Sequence, residues 1–302
     1  MSDPIIFDRQ LLARRRDGLA AGLGGADFLL RRVADDIVDR LAVVKRRFPV
    51  ALDLGAGEGL LTARLPAAAG AEIVIAADLS PRLVAAAPGL AVVADEELLP
   101  FRDGSLDLVV SSLSLQLVND LPGALVQIRR ALKPDGLMLA SLLGGTTLGE
   151  LREALVVAEA ETAGGVSPRV APFADVRELG GLLQRAGFAL PVADGDVVEV
   201  GYPSALELMR DLKAMGWANM LVDRRRAPLR RDTLARAIEV YVERHGRPDG
   251  RVKATFEIVT LTGWAPHESQ QKPLRPGSAK ARLADALGTD ERPAGDKADR
   301  GS

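Results

Sequence analysis

A doubly wound α/β fold on a seven-stranded, mostly parallel sheet is what this sequence predicts, and three observations carry that expectation. Short apolar runs of strand length recur along the chain with helix-like segments between them. The first of these runs ends in a glycine-rich turn. Acidic residues then fall where the following runs stop.

Residues 8–47 read as helical, because Leu29, Leu30, Val33, Ile37, Val38 and Leu41 recur at helical spacing with Arg and Asp on the other face. Val50–Leu54 is the first strand and runs into Gly55-Ala56-Gly57-Glu58-Gly59. Ile73–Ala77, Leu90–Ala94, Leu106–Ser111 and Leu137–Leu142 follow as further strands. They are apolar without alternation, as strands covered on both faces must be. A helix over 122–132 closes at Lys133-Pro134-Asp135-Gly136, a stop-and-turn signal. Helices are expected at 147–162 and 175–187, and the last two strands at 188–200 and 252–264. The expected organisation is an N-terminal helical segment (1–47), a cofactor-binding core (48–201), a helical lid (202–246), the closing strand (247–269) and a mobile tail (270–302).

Composition removes several classes of function. The formal charge of −2 over 302 residues gives no basic field for nucleic acid. The absence of cysteine excludes thiolate metal sites and thiol nucleophiles. No run approaches the roughly 18 apolar residues of a membrane span, and Met1–Gln10 has no apolar signal core, so a cytoplasmic location is expected.

The glycine turn carries the chemistry. Its spacing is G-x-G-x-G, unlike the G-x-G-x-x-G of dinucleotide sites. Asp53 and Glu58 flank it, and carboxylates there would repel a pyrophosphate. They suit S-adenosylmethionine, which has no phosphate and carries a sulfonium and an ammonium. Asp53, Gly55, Ala56, Gly57 and Gly59 are therefore expected to hold this cofactor. Asp78, about 20 residues on, is placed for the ribose hydroxyls, with Leu79 beside it. Asp95 is placed for the adenine amino group with Glu96 beside it, and Ser111 for the far end of the fourth strand.

These residues resemble the class I methyltransferases over about 48–145. A resemblance to the family of mitochondrial complex I assembly factor 5 covers nearly the whole chain. It rests on Phe7-Asp8-Arg9, Ala51–Gly55, Ala94-Asp95-Glu96-Glu97, Leu99-Pro100-Phe101, Asp107–Leu115, Val118–Pro122, Leu132–Gly136, Gly263-Trp264 and His267–Gln270. Leu206–Asn219 is similar, more loosely, to malonyl-carrier-protein methyltransferases. Where these families show His-Trp after Ser-Leu-Ser-Leu, this chain has Gln116-Leu117. The resemblance implies an enzyme acting on a protein or carrier-bound acceptor, in respiratory complex I assembly. It also brings two alternatives, hydroxylation of an arginine in a complex I subunit and cofactor binding without catalysis. A non-haem iron hydroxylase wants two His and a carboxylate. His245 and His267 are the only histidines and no H-x-D or H-x-E pair occurs, so no metal site is expected.

The acceptor is expected to meet Gln116, Trp217, Asn219 and His267, the last following the closing strand. Met209, Leu212 and Met215 read as a packing stripe. The runs Arg14–Arg16, Arg224–Arg226 and Arg230-Arg231 read as solvated faces, available to an acidic partner.

Overall fold

The computed structural model describes residues 5–19 and 25–271, with 285, 288 and 289. The chain divides into two units, 1–267 and 268–302, and the first holds the whole sheet. In the second, residues 268–269 form a turn, and the mobile tail expected from 270 lies almost entirely outside the described residues.

The strands are Val50–Leu54 (β1), Ile73–Asp78 (β2), Leu90–Val93 (β3), Leu106–Ser112 (β4), Leu132–Leu143 (β5), Ala189–Tyr202 (β6) and Val252–Trp264 (β7). They form one sheet in the order β3-β2-β1-β4-β5-β7-β6. The first five are parallel. β7 runs antiparallel to both β5 and β6 and lies between them. The parallel strands therefore end along one edge, where the order reverses between β1 and β4, and open α/β sheets bind ligands there.

Helices cover both faces. On one lies Phe28–Ala42 (α2), whose Leu29, Val33, Ile37 and Leu41 are buried at helical spacing. Gly149–Thr162 (α6), Ala205–Ala214 (α8) and Arg231–His245 (α9) pack into the same core, which takes Ala51, Leu108, Val110, Leu139 and Phe256 from the strands. On the other face, Leu121–Ala131 (α5) and Val176–Arg185 (α7) bury Leu125, Ile128, Leu179 and Leu183 against Leu52, Leu54, Val109 and Met138. Successive residues of β1 and β4 thus feed opposite cores, as the strand period of two requires.

Three further helices follow, of which the first and the last line the cleft. Arg9–Leu19 (α1) buries Leu12 with Phe7, Leu117, Met220 and Leu221 in a small third cluster. Leu65–Ala69 (α3) and Pro81–Ala86 (α4) follow β1 and β2, and Ser80 caps α4 by accepting from the Leu83 amide. The helices of the segment 202–246, between β6 and β7, are α8 and α9.

Candidate functional site

The turn after β1 forms the floor of the cleft. Gly55, Gly57 and Gly59 all have positive φ (76°, 56° and 82°), a conformation that only glycine adopts freely. A Cβ on Gly55 would lie 2.2 Å from Ser114 Oγ, and one on Gly59 2.5 Å from Pro88 Cδ. The turn is pinned by the Gly55 and Ala56 amides, which both donate to the Ala77 carbonyl on β2. Above it opens a cavity of about 340 Å³ lined by the glycine turn, Asp53, Glu58, Asp78, Ser112, Leu113 and Trp217.

Asp53 and Asp78 are the two lining carboxylates held in place by β1 and β2. Asp53 is buried, and its Oδ2 accepts from Thr62 Oγ1 at 2.7 Å while Oδ1 has no partner among the described residues. Burial pushes this carboxyl up to about 6, against the Thr62 hydrogen bonds, with Asp78 adding repulsion. A cationic guest beside Oδ1 would offset both the burial and the repulsion. Asp78 ends β2 and is held from both sides. Its Oδ1 accepts from the Ser80 amide at 2.9 Å and its Oδ2 from the Gly57 amide at 3.0 Å.

Two arginines of the N-terminal segment reach into this acidic edge. Arg16 Nη1 lies 3.1 Å from Asp78 Oδ2 and 3.0 Å from Glu96 Oε1, and Nη2 donates to Ser114 Oγ at 2.6 Å. Arg9 Nη2 donates to Asp95 Oδ1 at 2.6 Å and also to Glu96 Oε2. Burial alone would raise the Glu96 carboxyl, but Arg16, Arg9 and Ser114 outweigh it and hold the group down at about 2. Asp78 and Glu96 in turn hold the Arg16 guanidinium in its charged form against the cost of its partial burial.

β4 supplies the wall. Its last residue, Ser112, faces the cavity, and Leu113 follows in a left-handed conformation (φ 51°), which turns the chain sharply. Strain of this kind gathers at functional sites. Beyond the turn, Gln116 is buried and its Nε2 donates to the Leu113 carbonyl at 2.7 Å. Gln116 lines a second chamber of about 210 Å³ with Phe7, Leu148, Phe173, Leu212 and Asn219. Trp217 lines both cavities and is their common wall. Among the described residues, Arg169 and Lys213 are the charged ones lining the second chamber, and no carboxylate lines it. Arg169 is tethered to buried Glu159, which also accepts from the Ser167 amide at 2.7 Å.

The structure gathers Asp53, Gly55, Ala56, Gly57, Gly59 and Asp78 around one cavity, and Gln116, Trp217 and Asn219 around the other. Asn219 also staples its loop, with Nδ2 donating to the Pro168 carbonyl at 2.7 Å. Five expectations need correction. Ser111 is buried and faces away; its neighbour Ser112 meets the cavity, because side chains alternate along a strand. Leu79 packs on the Phe7–Leu12 cluster instead of the cleft. Asp95 and Glu96 do not line the cavity, being drawn to Arg9 and Arg16. His267 follows Trp264, which pairs with Leu137, itself across from Leu108 near the start of β4, so it sits at the edge opposite the glycine turn, away from the acceptor expected there. The Arg14–Arg16 run is a solvated face only in part: Arg14 is exposed, but the Arg16 side chain is 11% exposed and ion-paired with Asp78 and Glu96 in the cleft. Sequence reasoning assigned no role to Arg9, although it stands in the Phe7-Asp8-Arg9 motif, and none to Ser114 or Arg169.

A methyltransferase domain family model matches residues 52–140. The mitochondrial arginine-hydroxylase NDUFAF5 of Danio rerio is 42% identical over 286 residues, covering 93% of this chain and 89% of its own. That of Homo sapiens is 43% identical, covering 91% and 81%. The chain belongs to this family. A malonyl-[acyl-carrier protein] O-methyltransferase of Halorhodospira halophila is 38% identical, covering 85% of this chain and 88% of its own. Two solved structures share the fold. YcgJ of Bacillus subtilis matches with a TM-score of 0.54 at 14% identity, over 78% of this chain and 99% of its own. Phosphoethanolamine N-methyltransferase 2 of Haemonchus contortus, in complex with S-adenosyl-L-methionine, matches with a TM-score of 0.51 at 16% identity, over 84% and 60%. This member of the NDUFAF5 family is a class I methyltransferase-fold enzyme whose cofactor is S-adenosylmethionine. The glycine cradle and the unpartnered Asp53 Oδ1 fit that cation.

The expectation of a cytoplasmic location does not stand, because the family members matched across nine-tenths of the chain are mitochondrial proteins by name. A two-histidine iron centre does not fit the residues. His245 is the last residue of α9, ahead of β7, and pairs with Glu153; His267 lies beyond the other end of that 13-residue strand. At about 3.3 Å per residue the two are held on the order of 40 Å apart. Among the described residues no cluster of three His, Asp or Glu side chains forms a metal site.

Proposed function

We propose that this chain modifies a protein acceptor during assembly of respiratory complex I, by transferring a methyl group from S-adenosylmethionine. The observation that carries the reading is the shared Trp217 wall, which sets an apolar chamber beside the cofactor cleft. When bound, the cofactor supplies a methyl group activated on a sulfonium. The chain's own part is positioning and exclusion of water. Asp53 and Asp78 hold the cationic and ribose portions. Leu113 and Trp217 close the reacting region, and Leu148, Phe173 and Leu212 keep the chamber dry. Gln116, replacing the His of related sequences, is a neutral amide and removes no proton, so the acceptor is one that reacts without a strong base there.

A second reading is hydroxylation of an arginine, and the name of the family members at 42–43% identity favours it. The chamber lining speaks against a guanidinium lodging there, since Arg169 and Lys213 face it and no carboxylate does. Docking of an acidic carrier or subunit over α8 belongs to the same proposal, with Lys213 both exposed and lining the chamber. Incubating the full chain with labelled cofactor and complex I subunits, then weighing the subunits, separates the readings. A gain of about 14 Da is expected from methyl transfer, by its chemistry. A gain of 16 Da would replace this reading with the hydroxylase, and no gain would leave cofactor binding alone.

A further inference from the structure

The contacts of Asp78 leave too few free positions for a ribose. A carboxylate accepts at about four lone-pair sites, two on each oxygen. On Asp78, Oδ1 takes the Ser80 amide, and Oδ2 takes both the Gly57 amide and Arg16 Nη1. A ribose diol gripped by one carboxylate needs an open site on each oxygen, and Oδ2 has none. The two amides belong to the turn and to the α4 cap, so they stay. Arg16 is the ligand that can leave.

Its other partners show what it occupies. Arg16 Nη2 donates to Ser114 Oγ, the atom that a Cβ on Gly55 would strike at 2.2 Å, so the guanidinium lies against the glycine turn. Arg16 lines the cavity together with Asp53, Gly55 and Gly57. A second cation, Arg9, already serves Glu96, which therefore keeps a charge partner when Arg16 moves. α1 carries both arginines and is fastened to the rim by Asp17, whose carboxylate accepts from Ser80 Oγ at 2.5 Å.

We propose that Arg16 is an internal competitor for the cofactor: its guanidinium takes the place on Asp78 that the ribose needs, and binding of S-adenosylmethionine requires Arg16 to swing off Asp78 while Arg9 holds Glu96. Cofactor affinity is thereby set by α1 as well as by the cleft. Whatever docks against α1 and draws Arg16 away raises the affinity by the same factor with which the cofactor favours that docking.

The inference rests on the cleft being the S-adenosylmethionine site, and titration calorimetry on the full chain tests the two separately. Failure of the native chain to bind S-adenosylmethionine or S-adenosylhomocysteine would overturn the cofactor assignment itself. If the native chain binds, Arg16→Gln is expected to bind both about 10-fold more tightly, the equivalent of one displaced ionic hydrogen bond. Affinity equal to or below native would make Arg16 a cofactor ligand or a bystander, and would overturn the proposal. Should Arg16→Gln fail to fold, Arg16→Lys keeps the charge beside Glu96 but lacks the planar fork that spans Asp78 and Ser114 together. It is expected to bind a few-fold more tightly than native, and equal or weaker binding is again the overturning result.

Discussion

Asp53 shows how one side chain links stability to binding. Its carboxyl titrates at about 6 in the folded chain against an ordinary 3.8. The native state therefore keeps a proton that the unfolded chain has already lost. Stability falls as pH rises from about 4 to 6 and is level above, a loss of roughly 3 kcal/mol at most. Asp53→Asn is expected to melt above the parent at pH 7, with the gap closing towards pH 4. Binding runs the other way, because the cationic cofactor wants the ionised form, so affinity should climb through pH 6. For Asp78, replacement by Ala is expected to weaken S-adenosylmethionine binding by about 1–3 kcal/mol in calorimetry, since the amides that orient it would then face no carboxylate. The placements of Asp53 and Asp78 were legible because each ends an apolar run beside a turn. That of Arg16 was not: three consecutive arginines on a helix look like a wet face, and their acidic partner Asp78 lies 62 residues away.

At the scale of elements, the strands were legible wherever apolar residues ran without alternation, and β7 was found at its own bounds, 252–264. Its direction was not legible. Nothing in Val252–Trp264 says that it enters the sheet antiparallel, and that direction alone decides that His267 leaves at the wrong edge. The Ser111–Ser112 error has the same origin, one step of strand register. Helix ends were easier, because caps are local chemistry. Asp175 and Glu178 form a capping box at the start of α7, whose Leu179 and Leu183 fill the second core. Asp175→Ala should cost about 1 kcal/mol in denaturant unfolding and leave cofactor affinity unchanged. The second chamber is built by side chains from the N-terminal segment, the turn after β4, α6, the loop near Arg169 and α8. Such a convergence of distant segments has no signature in local pattern.

Across the whole molecule, the cleft couples cofactor to folding by mass action. At about 100 times its dissociation constant, S-adenosylhomocysteine should stabilise the native chain by about 2.7 kcal/mol. In a chain of this size that is a rise in melting temperature on the order of 5 °C, and NAD at the same concentration should give none. The intercalation of β7 between β5 and β6 has a consequence for biosynthesis. Until residues 252–264 have been translated, the completed 14-residue β6 has no neighbour to pair with, and the β5 margin stays bare. At roughly 5–20 residues per second, the 62 residues from Tyr202 to Trp264 leave a nascent chain in that half-made condition for about 3–12 s. Holdase chaperones at the ribosome would find their sticky substrate there, and a stop codon anywhere before 252 would make the exposure permanent.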